Sequence, residues 1–299
     1  MPAFGTPAPI ELEIELVVGD VHIIASDRED TDVVVRPTDP DREVDVDAAA
    51  RTRVEYAEGR LLVRGSKGRG MAGYLGFGGR SLGSVVVVIE VPSGSAVQGD
   101  GGVVRWRADG CLGDVQLRTG AGDVRLDHAG PTVVTMGTGD VTVEHVNGDA
   151  RLTTAGELRV GSVEGNAELK NLNGRTWIGE VTGRLHVKSA NGAIVVDRAA
   201  ADVVATTANG GIRLGEVVRG SATLETASGA LEVGVRAGTA AWVDARSRFG
   251  RVTNTLERTD GPGDSDDSIE VRARTSFGAI TLRRATTTPE PGEPPVSPS

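Results

Sequence analysis

A glycine returns at Gly122, Gly139, Gly156, Gly174, Gly192, Gly210 and Gly229, in steps of 17, 17, 18, 18, 18 and 19 residues. An interval this regular means one small unit stacked many times, because a unit of about 18 residues cannot bury an apolar side alone. With each glycine as position 0, position 2 holds Val124, Val141, Leu158, Thr176, Ile194, Ile212 and Leu231. Position 4 holds Leu126, Val143, Val160, Ile178, Val196, Leu214 and Val233, and position 7 holds Ala129, Val146, Val163, Val181, Ala199 and Val217. A second glycine falls near position 9, at Gly130, Gly148, Gly165, Gly183 and Gly220, with Ala201 as the exception. A second alternating pair follows it, such as Leu185 and Val187. Apolar residues at every second place are the mark of half-buried strands, so each repeat carries two short strands entered through glycine turns. Three residues before the next glycine stands a small polar residue: Thr119, Thr153, Asn171, Ser189, Thr207 and Thr226, with Met136 breaking the column.

These patterns predict an all-β fold, a single-stranded parallel β-solenoid (β-helix) with coils stacked roughly 4.8 Å apart. A core of Val, Leu, Ile and Ala columns is consistent with an aromatic content of only 3%. The formal net charge of −10 argues against a general nucleic-acid binder, which needs a basic footprint. One cysteine, Cys111, excludes an intrachain disulfide framework.

Residues 1–10 read as disordered and 11–95 as an irregular N-terminal β cap. Within that cap, Glu11–Leu16 alternates as a strand should, and Val33–Val35, Val44–Val46 and Arg60–Val63 continue the theme. The glycine-rich stretch 65–83 reads as a mobile loop. The solenoid occupies 96–284, with an acidic insertion at 257–268 that, together with 11–95, reads as capping the rod. Legible copies at Ser247–Val252 and Thr275–Leu282 flank the insertion, and 285–299 reads as a disordered tail. No segment of helical period and useful length stands out.

The alternating N-terminal strands, the Val-Pro-Ser-Gly-Ser-Ala-Val run at 91–97 and the repeated Thr-Ala-Asn/Ser-Gly-x-Ile/Leu pattern resemble a bacterial β-strand-repeat family of unknown function. That family, toast-rack-like in fold, carries an adhesin label. The resemblance spans roughly residues 10–284 and implies a β-solenoid with no established enzymatic activity.

Stacked coils turn every column into a ladder. Asn173, Asn191 and Asn209 precede three successive glycines and predict an amide ladder. Asp123, Asp140 and Glu157 follow three glycines, which raises the question of a cation between them. Asp127-His128 and Glu144-His145 fall at equivalent places of adjacent coils, the one constellation with the chemistry for a transition metal or acid–base work. Alternation lets only one of each pair face a given side, and the strand turns there, so the expectation is solvated residues. Trp177 lies between Thr176 and Ile178 and is predicted to point outward. In the 65–83 loop, Lys67, Arg69 and Arg80 mix with Tyr74 and Phe77, a composition suited to partner contact.

No catalytic constellation, cofactor motif or metal-ligand spacing emerges. The expectation is a non-enzymatic, adhesin-like binding or scaffold module with a protein, glycan or envelope partner. A polysaccharide-active β-helix enzyme and a self-assembling structural rod are the alternatives. No secretory leader or transmembrane stretch is visible, so the chain reads as cytoplasmic, with a surface or exported location open by a non-classical route.

Overall fold

The computed structural model describes residues 3–65, 82–256 and 267–285. Lys67, Arg69, Tyr74, Phe77 and Arg80, most of the 257–268 insertion and nearly all of the 285–299 tail lie outside these residues.

The repeat folds as its periodicity dictates. One sheet stacks β8 (Val115–Ala121), β10 (Thr132–Thr138), β12 (Ala150–Thr154), β14 (Ala167–Asn173), β16 (Leu185–Asn191), β18 (Val203–Asn209) and β20 (Gly220–Ser228), all parallel. The other stacks β9 (Val124–Ala129), β11 (Val141–Val146), β13 (Leu158–Val163), β15 (Thr176–Val181), β17 (Ile194–Ala199), β19 (Ile212–Val217) and β21 (Leu231–Val235). Each coil therefore gives one strand to each sheet, and like positions pair residue for residue. The inward columns at positions 2, 4 and 7 merge into one core, in which Leu152, Leu169, Ile178 and Leu214 have no exposed surface. Thr176 takes the one polar place at position 2 and is bonded there by the Asn171 amide at 3.2 Å.

The glycine corners exist because coils touch there backbone to backbone. Gly139 adopts φ +132°, and a Cβ on it would fall 1.5 Å from the carbonyl oxygen of Gly122 in the preceding coil. The polar column closes the same corner. Thr154, Thr226 and Thr275 donate to the carbonyls of Gly139, Gly210 and Gly229 at 2.7, 3.0 and 3.1 Å. One member differs from expectation: Thr154 is buried in this column, while Thr153 is half-buried in an outward row opposite Lys170. The turn to Gly156 is one residue shorter, and Gly156 alone of the seven repeat glycines avoids the left-handed region.

Two long strands begin the stack. β2 (Glu11–Ser26) and β7 (Ala96–Cys111) each run through both sheets and pair with each other in parallel. On the far side of β2 lie β5 (Arg60–Arg64) and β6 (Val85–Pro92), still parallel. Beyond them the direction reverses: β4 (Arg53–Ala57) joins β5, and β3 (Asp30–Pro37) joins β6, both antiparallel. Residues 1–10, expected to be disordered, contribute β1 (Ala3–Gly5), which pairs antiparallel with β3.

The stretch Val44–Val46 is a correction. It belongs to α1 (Glu43–Arg51), not to a strand. The Asp45 carboxylate is fully buried and accepts the backbone N–H groups of Ser84 and Asp39 at 2.9 and 3.3 Å, which roots the helix. Three successive alanines favour helix, and Ala48 and Ala49 supply its contact with the core.

The last two coils stack out of chain order. β22 (Ala240–Phe249) and β23 (Val252–Asn254) lie at the end of the rod. β24 (Ser268–Phe277) and β25 (Ile280–Arg284) return to fit between them and β20 and β21. Both copies read from sequence are present, but the later one in the chain is the inner one.

Candidate functional site

Trp177 stands on β15 with Thr176 and Ile178 turned inward, so its indole is forced outward as the alternation requires. It is half-buried rather than free, for two reasons. The Arg159 guanidinium of the preceding coil lies 4.2 Å from the ring centroid, a cation–π contact. On the strand side, Gly161 and Gly179 occupy a place where neighbouring coils carry Glu144 and Asp197. A Cβ at Gly179 would meet the Gly161 carbonyl oxygen at 2.3 Å and the indole Cη2 at 3.3 Å. The bare backbone of Gly179 thus makes room for the ring. Sequence reasoning missed this feature, although two glycines at position 5 of adjacent repeats were its visible trace.

The register extends the row along the rod: Arg107, Arg125, Thr142, Arg159, Trp177, Val195 and Arg213 follow one another across the second sheet. Arg107 is tied to Asp109, and Arg213 lies 3.8 Å from Glu232. Among the described residues, Arg125 and Arg159 form no salt bridge. A guanidinium row around one indole is a local reversal of the chain's acidic balance.

His128 and His145 meet beside this row. Their rings stack at 4.5 Å between centroids and 24° between planes. His128 Nδ1 lies 3.1 Å from Asp127, and His145 Nδ1 lies 2.7 Å from Ser162 Oγ. These positions fall where the strand turns, as read from the sequence, and the residues there are solvated. The strands bend between positions 4 and 7, so that Glu144 and His145 are both exposed between buried Val143 and Val146. Cys111 pairs in register with His128, which makes the column Cys111, His128, His145, Ser162 and Glu180. Among the described residues no three His, Cys, Asp or Glu side chains come together in a way that could hold a metal ion.

The other ladders are structural. Asn191 donates to Asn173 at 3.0 Å and Asn209 to Asn191 at 2.9 Å. In the acidic ladder Asp123 accepts the backbone N–H of Asp140 at 3.2 Å, and Asp140 that of Glu157 at 2.7 Å. Where the rod begins, His22 Nε2 shares a 2.6 Å hydrogen bond with Asp109, which Arg107 also contacts. Burial works to raise the Asp109 carboxyl, yet hydrogen bonds from His22 and Arg107 hold it below its ordinary 3.8.

Two shallow concavities lie near β2. The larger, about 400 Å³, is lined by Glu13, Glu15, Gln98 and Asp100 together with the apolar Ile14, Leu16 and Val17. No described helix is long and apolar enough to cross a membrane.

No protein with a curated description matches the chain. A structure described as a "putative adhesin" from Bacteroides fragilis NCTC 9343 is 12% identical over 94% of this chain and 95% of that one, with a TM-score of 0.31. A "putative cell adhesion protein" from Clostridium sporogenes ATCC 15579 is 13% identical over 94% of both chains, with a TM-score of 0.23. Scores this low leave the assignment to the family match alone. The model of the Toastrack family, DUF4097, matches residues 10–283, and the chain belongs to that family.

Proposed function

We propose that the chain is a non-enzymatic binding module and that its contact surface is the outward face of the second sheet around Trp177. The observation that carries the reading is the indole held over a glycine gap with Arg159 stacked on it, in a row that also presents Arg125 and Arg213. Such a surface is flat, so it suits an extended partner lying along the rod rather than a small molecule enclosed in a pocket. Indole faces stack on sugar rings, and guanidinium groups bind carboxylates bidentately. The partner chemistry is therefore a glycan bearing carboxylate groups.

The test is calorimetric titration with uronic-acid oligosaccharides. Trp177→Ala is expected to weaken binding by about tenfold or more, the scale of a buried aromatic anchor. Arg159→Ala weakens it less, and both variants keep the wild-type far-ultraviolet circular dichroism. Binding of equal strength in the wild type and in Trp177→Ala would overturn this reading.

A further inference from the structure

The two ends of the rod are built differently. At the N-terminal end the parallel stack gives way to antiparallel strands, and its outermost members, β4 and β1, have only 5 and 3 residues. Short reversed strands are a standard way to close an edge. At the other end, among the described residues, β22 pairs only with β24 and β23 only with β25. Among the described residues, the outer side of β22 is a 10-residue edge of unpaired backbone. The core is also unfinished there. Ala241, Val243 and Ala245 are only partly buried, and Val252, in register with core residue Ile280, is 43% exposed. Trp242 and Phe249 are 70% and 57% exposed.

We propose that two copies of this chain join tail to tail, pairing β22 with the partner's β22 in antiparallel fashion about a two-fold axis at Ala245. Overlap of the two strands and the charge pattern together select that register. The outward residues of β22 are Trp242, Asp244, Arg246 and Arg248. With the axis at Ala245, Asp244 faces the partner's Arg246, and Trp242 faces the partner's Arg248. Each contact occurs twice, and no like charges meet. Moving the axis to Asp244 sets two carboxylates opposite each other, and moving it to Arg246 sets two guanidinium groups opposite each other; both are repulsive. A shift by one residue in the pairing sets outward residues against inward ones. An axis normal to the sheet keeps inward faces inward, so Val243 meets the partner's Ser247 and the apolar columns run on into the second copy. Because the two ends differ, the contact closes as an isologous dimer and cannot propagate into a filament.

Sedimentation equilibrium of the full chain across a range of concentrations is expected to show monomer and dimer and nothing larger. Asp244→Arg alone and Arg246→Asp alone each weaken the dimer by about tenfold, because two attractive cross-strand pairs become repulsive. The double charge swap restores it, and circular dichroism is unchanged throughout. In a Cys111→Ser background, Ala245→Cys is expected to give a disulfide-linked dimer on oxidation. A monomer at every concentration would overturn the proposal, as it would if the chain's own tail covered this edge. So would a dimer indifferent to the single substitutions, or the absence of the cross-link.

Discussion

Gly139 shows how much one residue carries in this architecture. Its left-handed φ and the carbonyl 1.5 Å from an added Cβ are separate obstacles to a side chain. Gly139→Ala is expected to destabilise the protein by at least about 2 kcal/mol, through backbone strain and displacement of the neighbouring coil. Gly5→Ala is the matched control, since nothing lies within 4 Å of its added Cβ, and its melting temperature stays at the wild-type value. Thermal denaturation followed at a β-sheet wavelength decides the matter, and equal melting temperatures for the two variants would remove the argument. The glycine column and the outward Trp177 were both legible from spacing. The Thr154 position was not, because a turn shortened by one residue shifts the buried column without altering the glycine period.

At the scale of elements, single pairs tie strands whose order in the chain says little about their contact. The His22–Asp109 bond joins β2 to β7 across 87 residues. Asp109 titrates below its ordinary 3.8 in the fold, so its ion-pair stabilisation is full above that value and fades as pH falls further. Both side chains are partly exposed, so solvent screening keeps the contribution below about 1 kcal/mol. Urea denaturation at pH 6 and pH 3 tests this: Asp109→Asn is expected to be less stable than the wild type at pH 6, and the gap is expected to be narrower at pH 3. A gap that does not narrow on acidification would show that the hydrogen bond counts and the charge does not. The helix at Glu43–Arg51 belongs to the same scale. Val44-Asp45-Val46 alternates like a strand, and what makes it helical is Asp45 reaching the backbone of Ser84, 39 residues away. Alternation over three residues cannot register such a contact.

For the whole molecule, stability is close to a sum of coil-to-coil interfaces. Interior coils have two such interfaces and the β22–β23 coil has one. Amide hydrogen exchange is therefore expected to be faster in β22 than in β16 to β19 at low protein concentration. Protection in β22 rises with concentration as the tail-to-tail contact forms. Uniform protection along the rod in dilute solution would mean that the end coil is covered within the monomer.

Periodicity alone determined the solenoid, its inward columns and its asparagine and acidic ladders. Those properties depend on a repeat meeting its own neighbour, and neighbouring repeats lie side by side in the chain. The tertiary structure decided what depends on distant segments: the inverted order of the last two coils and the reversed strands that close one end. It also placed Arg159 against Trp177 over bare glycine backbone. A strand pattern states which way a side chain points, but the packing of successive coils decides what it meets.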